Sequence, residues 1–462
     1  MGCCILGRLF GTDGVRGVVN RELTVELALK LGLAIGTWFG TGSRILVGRD
    51  VRVGGDALMH AVIAGLEAVG CKVYVAGLAP TPAIQYAVRK HGFDGGVIVT
   101  ASHNPPEYNG VKVVGSDGVE IPREAEREIE EIFFGSRWRY ASWKSFVWEA
   151  KPWPNVIEDY VDAVASMVDD EAIRRRGFRV VVDAANSVGT LATPRVLQKL
   201  GVKVYTVNSD LNPLFPGREP EPTPDTLRET RRIVAELNTD LGVGHDGDAD
   251  RAIIIDEKGE AWWGDRTGAL LAAHVSERHP ELPKRVFTGV SSSTLVEEYL
   301  SRFNIEVRWT PVGSVVISRM LIREGGIAGF EENGGYMHPL HQPVRDGAMT
   351  TALFLELMAH EGVKASELFD RLPKYYAVKT KVPMPREKAV EVVNEVKKHF
   401  SGQRMVTIDG VKVFGDGWWF LVRPSGTEPV LRIMVEARSP EEAKRLAEEL
   451  KKLVEEIARS KA

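Results

Sequence analysis

The sequence predicts an α/β protein of four domains. Three are similar mixed α/β domains with largely parallel sheets, one is a C-terminal α+β domain, and all four surround a central cleft. Three observations lead there. Short β-branched runs alternate with amphipathic stretches of helical length over most of the 462 residues. This grammar recurs three times and then changes in the last ninety or so residues. In each of the first three regions an apolar run opens directly into a polar, glycine-marked loop. Such loops leave open sheets at the strand ends, where backbone N–H groups and helix N-termini converge, so three of them imply one composite site.

The first region, residues 1–150, has strands expected at 45–48, 72–75 and 97–100 and a helix at 57–69. Tryptophans and prolines scattered over 137–154 mark a linker. The second region, 151–256, has strands at 180–183, 202–207 and 241–245. The third, 257–372, has strands at 285–289, 306–310 and 327–330 and a helix at 346–360. The fourth, 373–462, places a helix at 387–399, strands at 411–414, 418–422 and 430–435, and a charged helix from 440 onward. No short-period repeat is visible.

A net charge of −4 gives no electrostatic case for nucleic acid or an anionic membrane. The three cysteines, Cys3, Cys4 and Cys71, form neither a CxxC pair nor a disulfide framework, which points to a reducing compartment. The Met-Gly-Cys-Cys opening lacks a hydroxyl residue at Leu6 and soon meets Arg8, so an ordinary start rather than a lipidation signal is expected. No run reaches the length of a membrane span and no secretory segment is visible, so a cytoplasmic protein is expected.

The first loop is Thr100-Ala-Ser-His-Asn-Pro105. It presents the hydroxyl of Ser102 on a turn, because Asn104 precedes a proline and is pushed out of the helical region. Alone, Ser102 reads equally as a nucleophile, a phosphate carrier or a common loop serine.

The second loop, His245-Asp-Gly-Asp-Ala-Asp-Arg251, carries three carboxylates at alternate positions. In an extended segment Asp246, Asp248 and Asp250 share one face and can converge on one ion. An all-oxygen set of this size suits Mg²⁺ sharing a phosphate oxygen. The spacing also opens a calcium loop, with Glu257 at its twelfth position, but Arg251 stands where that loop requires glycine and the residues after it read as a strand. A solvated acidic turn is the bland alternative. His245 reads as a supporting hydrogen-bonder.

The third loop is Gly329-Phe-Glu-Glu-Asn-Gly-Gly335. The fourth region supplies Arg423-Pro-Ser-Gly-Thr-Glu-Pro429, where small residues, hydroxyls and a guanidinium could cradle a phosphate. Without its companions this segment is equally a plain hairpin connection. Two further groups are candidates. Arg16 lies in a glycine-rich loop and could stabilise a transferring phosphoryl group. Lys112 could act as an acid/base if burial and cationic neighbours lower its pKa. Surface charge is the default for both residue types. His338 and His341 flank prolines beside the third loop and read as structural.

These four motifs, together with Phe10-Gly-Thr-Asp-Gly-Val-Arg-Gly17 and Gly48-Arg-Asp50, occur in the order found in the α-D-phosphohexomutases. Nearly the whole chain resembles the archaeal and bacterial phosphomannomutase/phosphoglucomutase branch of that family. The resemblance implies that Ser102 carries a phosphoryl group and completes a Mg²⁺ site with Asp246, Asp248 and Asp250. It implies a bound hexose 1,6-bisphosphate between hexose 1-phosphate and hexose 6-phosphate. Arg16 and Arg251 would spread transition-state charge, and Lys112 would transfer protons. Glu331 and Asn333 would bind sugar hydroxyls, with residues 310–313 nearby. Arg423, Ser425, Gly426 and Thr427 would hold the phosphate that is not reacting. The expected partners are small hexose phosphates, with neither nucleic acid nor membrane, and the expected assembly is a monomer or homodimer.

The sugar loop departs from many relatives. It has Asn333-Gly334-Gly335 where they have serine, glycine and histidine. A loop reading only shared hydroxyls tolerates epimers, so glucose and mannose phosphates are both expected to turn over, with phosphoglucosamine mutase as the alternative within the class. Outside it stand a metal-dependent sugar phosphatase and an inactive sugar-phosphate-binding protein.

Overall fold

The computed structural model describes residues 9–11, 13–146, 149–425 and 429–460. Each of the first three sheets contains the same motif, three parallel strands followed by an antiparallel return. In the first sheet Lys72–Leu78, Arg44–Arg49 and Gly95–Val99 run parallel, and Tyr108–Gly115 pairs antiparallel with Gly95–Val99. Val15–Val18 closes that edge. In the second, Lys203–Val207, Arg179–Asp183 and Leu241–His245 are parallel, and Ala252–Asp256 returns antiparallel. In the third, Glu306–Thr310, Arg285–Gly289 and Ala328–Phe330 are parallel, and Tyr336–His338 returns. The fourth sheet is antiparallel throughout, in the order Tyr376–Pro383, Val430–Ala437, Trp418–Pro424, Val411–Phe414, Arg404–Val406. Helices Arg386–His399 and Pro440–Ser460 pack on it.

The strands that deliver the loops are buried on both faces, as helix-covered sheets require. Their apolar residues leave no room for polar chemistry until the strand ends. These strands therefore deliver polar side chains only at the connection between the third parallel strand and its antiparallel return. That connection falls at Ser102 in the first domain, at Asp246 to Arg251 in the second, and at Glu331 to Gly335 in the third.

Two expectations need correction. The end of the tryptophan-rich stretch is not a bare linker. Lys151–Pro152 adds a strand to the first sheet, and Trp153 packs edge-on against Tyr74 and Phe93, with centroids 5.6 and 5.2 Å apart. Likewise Ala261–Trp262 pairs with Ala252–Asp256, so the second sheet runs past residue 256. Proline and tryptophan signalled loop composition, but the Trp153 ring packs at the sheet edge.

Helix Gly347–Glu361 ties the second and third domains together. Asp346 caps it by accepting from the Met349 N–H at 2.9 Å, and it also accepts from the Tyr160 hydroxyl of the second domain. The helix N-terminus reaches the metal loop, where the Gly347 N–H donates to the Ala249 carbonyl at 3.3 Å.

Candidate active site

Ser102 is fully buried and sits in the left-handed region at φ 52°. A non-glycine residue there is strained by about 1–3 kcal/mol and persists only when its surroundings over-determine it. Here they do. Its N–H donates to Thr100 Oγ1 at 2.8 Å, and that hydroxyl donates to Asp50 Oδ2 at 2.5 Å. Arg52, only 1% exposed, donates to the carbonyls of Ser102 and Asn104 at 2.6 Å each, and to those of Pro105 and Tyr108 at 2.8 and 3.0 Å. Phe215 of the second domain covers the guanidinium, 5.0 Å from its ring centroid.

The serine hydroxyl points across the domain boundary and donates to Asp246 Oδ2 at 2.8 Å. Candidate ligand atoms of Asp246, Asp248 and Asp250 lie within 4.8 Å of one another, and all three residues are buried. They converge by a turn rather than by the expected period of two along a strand. Ala249 takes φ 59° between them, which folds the loop back on itself. Burial and mutual repulsion push the carboxyls of Asp246 and Asp250 up. At Asp248 the same burial is outweighed by Lys112 and the Thr81 hydroxyl, which hold it low. Thr81 donates to Asp248 at 2.7 Å and Lys112 at 3.1 Å.

Asp248 Oδ1 and both oxygens of Asp250 lack an aligned hydrogen-bond donor, although Arg345 stands 2.7 Å from Asp250 as an ion pair. Buried acceptors without donors are costly. Three converging carboxylates with free oxygens therefore fit a hard divalent cation such as Mg²⁺.

Lys112 is buried, and burial alone would lower its pKa. Its nearest neighbours are anionic, however, and Asp248 at 3.1 Å, Asp13 at 3.3 Å and Asp250 at 3.6 Å raise it against the opposing charge of Arg345. The expected depression is thus reversed, and the resting lysine carries its proton. Arg16 anchors to Asp13 at 2.9 Å and to Asn104 Oδ1 at 2.5 Å, on the rim of the serine loop. Arg251 lies 2.9 Å from His103 Nδ1, whose pKa it lowers with help from burial, so that imidazole is neutral. His103 stands 3.3 Å from Ser102 Oγ.

The sugar loop closes on itself. Glu331 N–H donates to Gly335 O at 2.8 Å, and Asn333 Oδ1 accepts from Gly335 N–H at 3.2 Å. It is stitched to the metal loop where the Ala252 N–H donates to Gly334 O at 3.0 Å. Glu331 is buried, its carboxyl pushed up by desolvation against the pull of Arg345. In the fourth domain Arg423 pairs with Asp409 at 2.9 Å, and Asp409 also accepts from the Val312 N–H of the third domain at 3.1 Å. Residues 310–313 thus meet the fourth domain. The Ser425 N–H donates to Val430 O at 2.9 Å. Gly426 and Thr427 lie outside the described residues. His338 and His341 are buried away from Ser102, with His341 stacked on Tyr86 at 5.2 Å.

The structure adds four residues that sequence reasoning did not single out: Asp13, Arg52, Thr81 and Arg345. Asp13 lay inside a quoted motif, and Arg52 two residues past Asp50. Thr81 and Arg345 carried no local signal.

Comparison with known proteins decides the family. Domains I, II and III of phosphoglucomutase/phosphomannomutase, each of α/β/α type, match residues 7–139, 158–259 and 263–376, and the C-terminal domain matches 380–453. The chain belongs to the α-D-phosphohexomutase family. It is 56% identical over 97% of its length, and 100% of the relative's, to a phosphoglucosamine/phosphogalactosamine mutase of Sulfurisphaera tokodaii. It is 44% identical to a phosphoglucomutase/phosphomannomutase of Thermococcus kodakarensis, over 98% of this chain and 99% of that one. A crystal structure of a phosphoglucomutase/phosphomannomutase family protein from Burkholderia thailandensis superposes with a TM-score of 0.87 at 25% identity, covering 98% of each chain. Among the described residues no helix of this phosphohexomutase is long and apolar enough to cross a membrane.

Proposed function

We propose that this phosphohexomutase interconverts the 1- and 6-phosphates of an amino hexose, glucosamine foremost, and that Ser102 is its phosphoryl carrier. The observation that supports the carrier role is the 2.8 Å hydrogen bond from Ser102 Oγ to Asp246, at the mouth of a buried carboxylate triad. Asp246, Asp248 and Asp250 would hold Mg²⁺ there, and the ion when bound offsets charge on the transferring phosphoryl group. The sugar preference departs from the expectation of glucose and mannose. It is supported by the higher identity to the amino-sugar mutase, 56%, than to the glucose/mannose enzyme, 44%.

In the forward half-reaction phosphorylated Ser102 gives its phosphoryl group to the free hydroxyl of the hexose phosphate. The bond from phosphorus to Ser102 Oγ breaks and a bond to the sugar oxygen forms. Lys112, protonated at rest, gives its proton to Ser102 Oγ and is reprotonated by the attacking hydroxyl, so protons balance. Arg16 and Arg251 spread the developing charge, because phosphoryl transfer depends on positioning and electrostatics. The hexose bisphosphate then turns over while the fourth domain excludes water, with Arg423, Ser425, Gly426 and Thr427 as the distal phosphate cradle. Glu331 and Asn333 read the sugar. The second half-reaction returns the other phosphate to Ser102.

Specificity constants for glucosamine, glucose and mannose 1-phosphates, measured with Mg²⁺ and a trace of the matching bisphosphate, test this reading. A higher constant for glucosamine is expected. Glucose or mannose leading would reverse the sugar preference, and free phosphate released as fast as isomer would make the protein a phosphatase.

A further inference from the structure

Arg345 ends the last strand of the third sheet, Gln342–Arg345, and its guanidinium is buried among carboxylates of three domains. Nη2 lies 2.7 Å from Asp250 Oδ2 of the metal loop and 3.1 Å from Asp13 Oδ2 of the first domain. Nη1 faces Glu331 Oε2 of the sugar loop at 3.6 Å, and that oxygen has no hydrogen-bond donor. Arg345 is thus the charge nearest the carboxylate proposed to read the sugar, and it touches that carboxylate without saturating it.

The loop is built to admit this side chain. A Cβ on Gly335 would lie 2.5 Å from Arg345 Cδ and 3.2 Å from Glu331 Oε2. The backbone of Gly335 does not occupy the left-handed region, so crowding rather than backbone conformation demands glycine there. The missing side chain at 335 and the guanidinium from 345 are one steric unit.

We propose that Arg345 is a specificity-determining residue that acts through Glu331. Its charge neutralises the carboxylate, so the sugar loop reads hydroxyl groups and admits neutral hexose phosphates beside those bearing an ammonium group at C2. Without the guanidinium, burial would leave that carboxyl wanting a positive charge, which only the ammonium of a cationic sugar would supply, so the loop would select that sugar. This inference rests on the phosphohexomutase reading.

The test uses the full chain in a Ser102→Ala background, where sugar phosphates bind without turnover. Calorimetry at pH 7 gives dissociation constants for glucosamine 6-phosphate and glucose 6-phosphate, with and without Arg345→Gln. Removing one positive charge at this range in a partly screened site should shift the ratio of the two constants about fivefold toward glucosamine. Gly335→Ala, which crowds the same guanidinium off Glu331, should move the ratio the same way and add little on top of Arg345→Gln. Should Arg345→Gln fail to fold, as read by its thermal unfolding, the Gly335→Ala comparison carries the test. Equal weakening for both sugars, or a shift toward glucose, overturns the inference. A wild-type protein that turns over no hexose phosphate removes the phosphohexomutase reading and this inference together. An active wild type with an unmoved ratio removes the role of Arg345 alone.

Discussion

Replacing Arg52 by methionine should destabilise the protein by about 4–5 kcal/mol, an amount that the serine loop itself accounts for. The side chain is buried, and its guanidinium serves four carbonyl oxygens within 2.6–3.0 Å while standing 3.3 Å from Asp50. Hydrogen bonds from a charged donor are worth about 1.5–3 kcal/mol each, but four on one group are not additive. Breaking a buried ion pair costs about 3–5 kcal/mol because the partner is left buried without its counter-charge, and must stay charged or take up a proton. Burial already lifts the Asp50 carboxyl to about 6, with Arg52 pulling it back down. Without the guanidinium that carboxyl should be protonated at neutral pH. Methionine roughly keeps the volume, so a cavity contributes little. Adding Asp50→Asn should therefore recover about 2 kcal/mol, the signature of coupling rather than of two independent lesions. Urea unfolding of the four proteins in a double-mutant cycle measures this, and hydrogen exchange over residues 100–108 localises it. A loss below about 1 kcal/mol for Arg52→Met, with unchanged exchange in the loop, would refute the clamp.

Three further outcomes are expected. Mg²⁺ at a hundredfold excess over its dissociation constant should stabilise the protein by about 2.7 kcal/mol, and Asp250→Asn should raise metal-free stability while abolishing that gain. Calorimetry and thermal unfolding check both. Acid acts on the fold with two signs, because buried histidines resist protonation while raised carboxyls such as Asp50 accept it early. Burial lowers His245 to about 4 and His338 to about 3, and Arg251 with burial holds His103 low as well, so below about pH 6.5 the unfolded chain binds three histidine protons that the folded one refuses. The His245 part of that loss, about 1.4 kcal/mol per pH unit between about 6.5 and 4, should vanish in His245→Gln, read as the difference between the two proteins' denaturation midpoints against pH. Thr81→Val should leave Asp248 short of one donor, costing about 1–3 kcal/mol in metal-free stability and leaving a metal-saturated protein less affected.

The fold and the site were legible to different depths. Strand and helix positions followed from apolar runs such as Gly95–Val99 and Leu241–His245, whose burial on both faces enforces a local pattern. The loops were legible because each packs its chemistry into about six residues. Groups whose work depends on long-range pairing were not. Thr81 and Asp248 are 167 residues apart, and Arg345 reaches Asp13 across 332. Lys112 shows the limit most clearly. Its presence at the site was expected, but the sign of its shift was not, because its acidic neighbours come from loops around residues 13 and 248. The aspartates were expected to converge, but by strand periodicity rather than through the left-handed Ala249. The sugar is the least local property of all, since related hexoses share the hydroxyl groups that Glu331 and Asn333 are proposed to bind.

The carrier role of Ser102 is the centre of the account, and one measurement addresses it directly. Wild-type and Ser102→Ala proteins are compared in a coupled mutase assay with glucosamine 1-phosphate, Mg²⁺ and a trace of the bisphosphate. Mass spectrometry of the wild type reads the mass added at residue 102. The account predicts a phosphoryl group on Ser102 and a loss of about a thousandfold or more in the variant. Near-normal turnover by Ser102→Ala would contradict it.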